Sequence, residues 1–198
     1  MRKAQLPMAY WLMKSEPEEC SIEDALAARN STVPWTGVRN FQARNFMRDE
    51  MQEGDGVLFY ASNADPSGVT GLATIARAGY PDQFAWTKGH KYYDPASSPD
   101  KPVWYMVDIA FAERFPAIVP LDVLKNTPGL ERMMVTQKGS RLSVQPVTPE
   151  EYEIVVRLGR SAANPESTTS AAPAAPRRTQ RPGAKTKPTA AGRKSPRR

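Results

Sequence analysis

Apolar and polar positions along the chain mark out short elements separated by turn residues. Tyr10-Trp11-Leu12-Met13-Lys14 reads as a short strand closed by Ser15-Glu16-Pro17. Ser21 followed by Asp24 predicts a helix N-terminus, with the helix running to about Arg29. Asn40 to Glu50 carries a second helical pattern. Glu53-Gly54-Asp55-Gly56 is a turn, and Val57 to Tyr60 follows as a strand apolar at every position. Val69 to Ala78 predicts a further strand. In Val103 to Phe115, Val103, Tyr105, Val107, Ile109 and Phe111 alternate with Trp104, Met106, Asp108 and Ala110, the period of a long strand. Leu121 to Asn126 predicts a short helix and Arg141 to Val147 a last strand. Thr148, Pro149 and Glu151 open a closing helix.

Strands outnumber the crossover helices that parallel βαβ units need. The expected class is therefore α+β, with a curved, largely antiparallel sheet or small barrel and peripheral helices. The pattern stops near Gly159. Residues 161–198 contain no aromatic residue and no Val, Ile, Leu or Met. They hold nine Ala, six Pro, nine Ser or Thr and nine basic residues, with Glu166 the one acid. Such a segment cannot bury enough apolar area to offset its ordering entropy, so disorder is expected there. The chain thus divides into a short extension over residues 1–8, a folded domain over 9–160 and a basic tail over 161–198.

That division locates the charge. The 198 residues carry a formal +6. The tail alone sums to +8, through Arg177, Arg178, Arg181, Lys185, Lys187, Arg193, Lys194, Arg197 and Arg198, while the remaining residues sum to −2. One His and one Cys exclude a Cys/His zinc cluster and a disulfide framework, so no metal is expected. No apolar run reaches the length that crosses a bilayer, and the first residues lack the apolar core of a signal peptide. The expectation is a soluble intracellular monomer without membrane contact: cytoplasmic, associated with the nucleoid in a bacterium, or nuclear in a eukaryote.

Dinucleotide and Walker A fingerprints are missing. A Cys20–His90 dyad is disfavoured because Glu18, Glu19, Glu23 and Asp24 would blunt the thiolate. The densest polar constellation is Trp35 to Met47, with two Arg, two Asn, one Gln and two Phe around a Gly turn that opens a helix. Amides match the donor and acceptor edges of a nucleobase, and an aromatic ring can stack on its face. The same residues also fit a plainer role, with Phe41, Phe46 and Met47 as core and Arg39, Arg44 and the amides as caps or surface. Lys14 to Pro17, Phe59 to Asn63 and Arg141 to Ser143 each bring polar atoms to a strand end, and each alone reads equally well as a turn.

Taken in order, Tyr10 to Pro17, Trp35 to Asn45, Gly54 to Asn63 and Arg141 to Val147 resemble the EVE-domain family of the PUA-like superfamily, over about residues 9–158. The resemblance implies a pseudobarrel sheet, no catalysis, no cofactor and a pocket for a base, with modified cytosine in DNA or modified RNA as the ligand class. Carried over residue by residue, it puts Lys14, Ser15 and Glu16 on one wall. Trp35, Val38, Asn40, Gln42, Arg44 and Asn45 form another, Tyr60, Ser62 and Asn63 the floor, and Arg141 and Ser143 the rim. Two positions depart from the family: Ala61 stands where His is usual, and Phe41 where Tyr is common.

The leading functional expectation is a reader of a modified base in DNA or RNA, with the basic tail adding sequence-independent affinity for nucleic acid. Two alternatives remain open. One is an enzyme acting on a nucleotide or small metabolite, with Glu16 as the motif carboxylate placed to be a base. The other is an architectural protein whose tail coats nucleic acid.

Overall fold

The computed structural model describes residues 8–161. The expectation of a disordered basic tail, with its nine Lys and Arg from Arg177 to Arg198, falls outside the described residues. Six strands make one mixed sheet in the order β2-β5-β4-β3-β1-β6. They span Tyr10–Ser15 (β1), Thr32–Trp35 (β2), Gly56–Ala61 (β3), Gly68–Pro81 (β4), Tyr105–Pro120 (β5) and Val144–Val147 (β6). All neighbours are antiparallel except β1 and β3, which run parallel with Lys14 opposite Tyr60 and Ser15 opposite Ala61. The outer strands β2 and β6 do not pair with each other, so the sheet is not closed.

Both faces of the sheet are packed, and this explains the continuous apolar runs in its central strands. Trp11, Met13, Val57, Phe59, Val107, Ile109 and Phe111 enter one core, beneath α1 (Ile22–Ala27) and α2 (Phe41–Asn45) with the π-helical turn Phe46–Glu50. Leu12, Leu58 and Tyr60 enter the other, beneath α3 (Leu121–Lys125) and α4 (Pro149–Ser161). Strand β5 serves both. Its register against β4 slips between Phe111 and Glu113, and beyond that slip Phe115 and Val119 face the second core. A one-residue bulge inverts the side-chain alternation in this way.

The predicted elements are present, although β4 and β5 run three and five residues past the expected ends Ala78 and Phe115, β5 starts two residues late, and α1 stops at Ala27. Three further differences bear on the site. The helix expected over Asn40 to Glu50 is α2 continued by the π turn. The last strand starts at Val144, leaving Arg141 and Ser143 in the preceding loop. Strand β2 had no counterpart in the pattern. It has only four residues and contains Pro34, which cannot donate to a ladder and is tolerated because β2 is an edge. At the start of α4, Thr148 Oγ1 accepts the Glu151 N–H (3.2 Å) and Glu151 Oε2 accepts the Thr148 N–H (3.0 Å), a reciprocal capping box. Among the described residues no helix is long and apolar enough to cross a membrane.

Candidate functional site

Because β1 and β3 run parallel, their C-terminal ends lie side by side, and the segments leaving them must turn together. Ser62 makes that junction rigid: its N–H (2.8 Å) and its hydroxyl (2.9 Å) both donate to the Ser15 carbonyl. Asn63 Nδ2 donates to Glu16 Oε1 (2.8 Å). Ser15 Oγ donates to the Cys20 carbonyl (2.9 Å), and the Lys14 N–H to the Ser143 carbonyl (2.8 Å). Three sequence-distant loops are thereby tied at one corner of the sheet.

A cavity of about 340 Å³ opens at this corner. Lys14, Ser15, Glu16, Glu19 and Cys20 line one side, Pro34 to Arg39 the opposite side, and Tyr92 and Ser143 complete it. Its volume lies in the range of small-molecule pockets, and its wall mixes rings with a few convergent polar groups. Trp35 is buried and meets Phe59 edge-on at 5.8 Å. Lys14 Nζ donates to the Ser140 carbonyl (3.2 Å), and burial pushes its ammonium below the usual lysine range.

The wall from Pro34 to Arg39 is shaped by Asp82, which is fully buried. Its Oδ2 accepts from Arg39 Nη1 (2.9 Å) and, at 3.4 Å, from the Gly37 N–H, while Oδ1 accepts the Phe84 N–H (3.0 Å). Arg39 also donates to the Tyr92 carbonyl. Gly37 has φ +78°, and a Cβ there would lie 2.4 Å from the Tyr92 ring. Only glycine admits both that conformation and that approach. Tyr92 Oη donates to Glu19 Oε2 (2.9 Å), and Lys91 pairs with the same carboxylate. These bonds, Lys91 first, hold Glu19 below the ordinary carboxylate range. Burial, then the Glu19 bond, raises the Tyr92 phenol.

Of the residues singled out from the sequence, Lys14, Ser15, Glu16, Trp35, Val38 and Ser143 come together at the cavity. Tyr60 packs in the second core, its phenol raised by burial, and Ser62 and Asn63 brace the wall through the bonds above. Asn40 caps α2, its Oδ1 accepting the Gln42 and Ala43 N–H groups. Gln42 is exposed, Arg44 and Asn45 bond to each other, and Arg141 is exposed on the loop before β6. Ala61 lines a smaller neighbouring cavity of about 200 Å³. Sequence reasoning passed over Tyr92, Glu19 and Asp82. Tyr92 lies in a polar loop without periodicity, and Gly37 was the one signal that something packs close. His90 stacks on Phe84 at 4.7 Å and its Nδ1 accepts the Tyr92 N–H, so its role here is to hold the loop. Cys20 lines the cavity, and His90 does not.

An open mixed sheet with peripheral helices and a half-polar cavity at its parallel strand ends defines a PUA-like α+β domain. The EVE domain model matches residues 9–158, and the chain belongs to the EVE-domain family. Human thymocyte nuclear protein 1 is 41% identical over 166 residues, covering 76% of this chain and 73% of the human protein. A crystal structure of a Pseudomonas putida protein is 47% identical with a TM-score of 0.72, covering 76% of this chain and 99% of that one. A crystal structure of the human protein in complex with DNA containing 5-methylcytosine is 40% identical with a TM-score of 0.71, covering 76% and 97%.

Proposed function

We propose that this chain is a non-enzymatic nucleic-acid-binding module that takes one modified base, with 5-methylcytosine the leading candidate, into the 340 Å³ cavity. The observation that carries the reading is the cavity itself: aromatic and polar groups from three separate motifs converge on one base-sized space. Its support from outside is the related human protein crystallised with 5-methylcytosine DNA. Extracting a base from a stack costs a few kcal/mol. Base–aromatic stacking returns about 1–3 kcal/mol per base, which Trp35 and Tyr92 are placed to supply. Carboxylates suit the exocyclic amine of cytosine. Glu16 offers one, with Asn63 orienting it through Oε1. Lys14, Ser15, Val38 and Ser143 complete the base contacts, and Tyr60, Ser62 and Asn63 hold the wall. Asn40, Gln42, Arg44, Asn45 and Arg141 stand outside the cavity, with Asn40 capping α2 and Arg44 bonded to Asn45 and the Val103 carbonyl.

Residues 1–160 sum to −2 and are a poor partner for a polyanion, so we assign long-range attraction to the nine basic residues between Arg177 and Arg198. The test is a titration of the full chain and of a chain ending at Ser161. Both meet the same short oligonucleotide with and without one 5-methylcytosine, at low and physiological salt. Both should prefer the methylated strand, and Trp35→Ala should erase that preference. The shortened chain should bind more weakly with a shallower salt slope. If neither chain discriminates, and binding disappears with the tail, the cavity does not read the base and the architectural reading replaces this one.

A further inference from the structure

Outside the cavity, one surface combines exposed aromatic area with arginine side chains. Phe41 is 60% exposed, the largest exposure among the described large hydrophobic residues. It is stacked on Trp104, centroids 4.9 Å apart and planes 20° from parallel. Trp104 is buried and its Nε1 donates to Asp94 Oδ2 (2.6 Å), so the lower ring of the pair is fixed. Phe41, Arg44 and Arg48 fall three and four positions apart and share one face of α2 and the π turn. The Arg44 guanidinium lies 4.8 Å from the Phe41 centroid and 6.0 Å from that of Trp104. Arg44 thus lies over part of the Phe41 ring, and with 60% of Phe41 exposed the rest of that ring stays accessible. Arg44 donates to the Val103 carbonyl and to Asn45 Oδ1, both neutral acceptors. Arg48 lies 5.7 Å from the Tyr105 ring and pairs with Asp49.

This surface is continuous with the cavity wall through Arg39. Its guanidinium is 5.2 Å from the Trp104 ring and 5.3 Å from the Tyr92 ring.

The geometry points to a second nucleotide subsite: the exposed ring of Phe41, backed by Trp104, stacks the base next to the one held in the cavity, and Arg44 contacts its phosphate. The inference rests on the base-reading function proposed above. An aromatic platform is indifferent to base identity, so the subsite contributes affinity without sequence preference. Arginine suits the phosphate because its fork keeps N–H donors free after the Val103 and Asn45 bonds.

The experiment uses the full chain and single-stranded oligonucleotides with one cytosine, methylated or plain. 2-Aminopurine replaces the neighbouring base on the 5′ side in one set and the 3′ side in another. With the wild-type chain, 2-aminopurine fluorescence on one side should be quenched on binding. Phe41→Ala should abolish that quenching and weaken binding about 5- to 150-fold, equally for methylated and plain strands. Phe41→Tyr should restore both, whereas Phe41→Leu, which keeps apolar bulk without a stacking face, should not. Unchanged thermal unfolding of each variant confirms folding, as expected for so exposed a side chain. If the wild type prefers the methylated strand but Phe41→Ala changes neither affinity nor fluorescence, the subsite is overturned and the cavity reading stands. If the wild type shows no methyl preference yet Phe41→Ala still weakens binding, the cavity reading fails and the surface is a contact unconnected with it. If no strand binds, both fall.

Discussion

Asp82 is the residue on which the cavity wall depends. The carboxylate has no exposed surface and accepts a charged hydrogen bond from Arg39, a second from the Phe84 N–H at 3.0 Å and a long one from the Gly37 N–H at 3.4 Å. Hydrogen bonds to a charged group are worth about 1.5–3 kcal/mol each. The Arg39 side chain is 24% exposed, so water takes up part of its loss, and the Gly37 bond is too long to count fully. Asp82→Ala should then cost about 3 kcal/mol, and a domain of this size should lose roughly 6–12 °C in Tm. The assay is urea unfolding of the wild type, Asp82→Ala, Arg39→Ala and the double variant. With both partners gone no unpaired charge is left, so the double variant should be about 1–2 kcal/mol more stable than the sum of the single losses predicts. Base discrimination should fail in Asp82→Ala even at temperatures where the domain stays folded, because Gly37 and Tyr92 are no longer set against each other. A cost below about 1 kcal/mol, or strict additivity, would refute the assignment of Asp82 as organiser of the wall.

Gly37→Ala should cost about 1–3 kcal/mol, from the left-handed conformation and the clash with Tyr92, and should break the Tyr92–Glu19 bond, seen as a change in tyrosine environment by NMR. Glu19 sits below its ordinary range in the folded state, so the stability it lends is present above the unfolded carboxylate value and lost as pH falls through its lowered folded value. The loop carrying Tyr92 should accordingly loosen in acid by hydrogen exchange, and Glu19→Gln should remove that pH dependence. Gly159→Ala in α4 would set a Cβ 2.2 Å from the Phe115 ring and should lower stability by about 1–3 kcal/mol while leaving ligand selectivity unchanged, measured by thermal melting and the same titration.

Strands buried on both faces, such as Val57 to Tyr60, announce themselves as apolar runs, and the Thr148 cap follows from local chemistry. The α+β class and the resemblance were therefore legible. Strand β2 was not, because four residues with a central proline acquire strand character only from their pairing with β5. The candidate site was legible by segment and less so by side chain. Trp35 and Val38 point into the cavity, whereas Asn40 two positions on is consumed by capping, a choice made by helix geometry that residue type cannot express. Tyr92 entered the site by an approach to Gly37 across 55 residues, which no local window contains.

The parallel pairing of β1 with β3 also bears on when the site comes into being. Between these neighbouring strands the chain travels out to β2 at the far edge of the sheet and back, and β1 is flanked on its other side by β6, more than 120 residues later. Contacts this distant in sequence form slowly and late in folding. Lys14 receives its Ser143 contact only once β6 is in place. A growing chain on the ribosome, or one cut before residue 140, therefore lacks the Ser143 side of the cavity and both carbonyls that hold Lys14, so the cavity is completed only with the last strand.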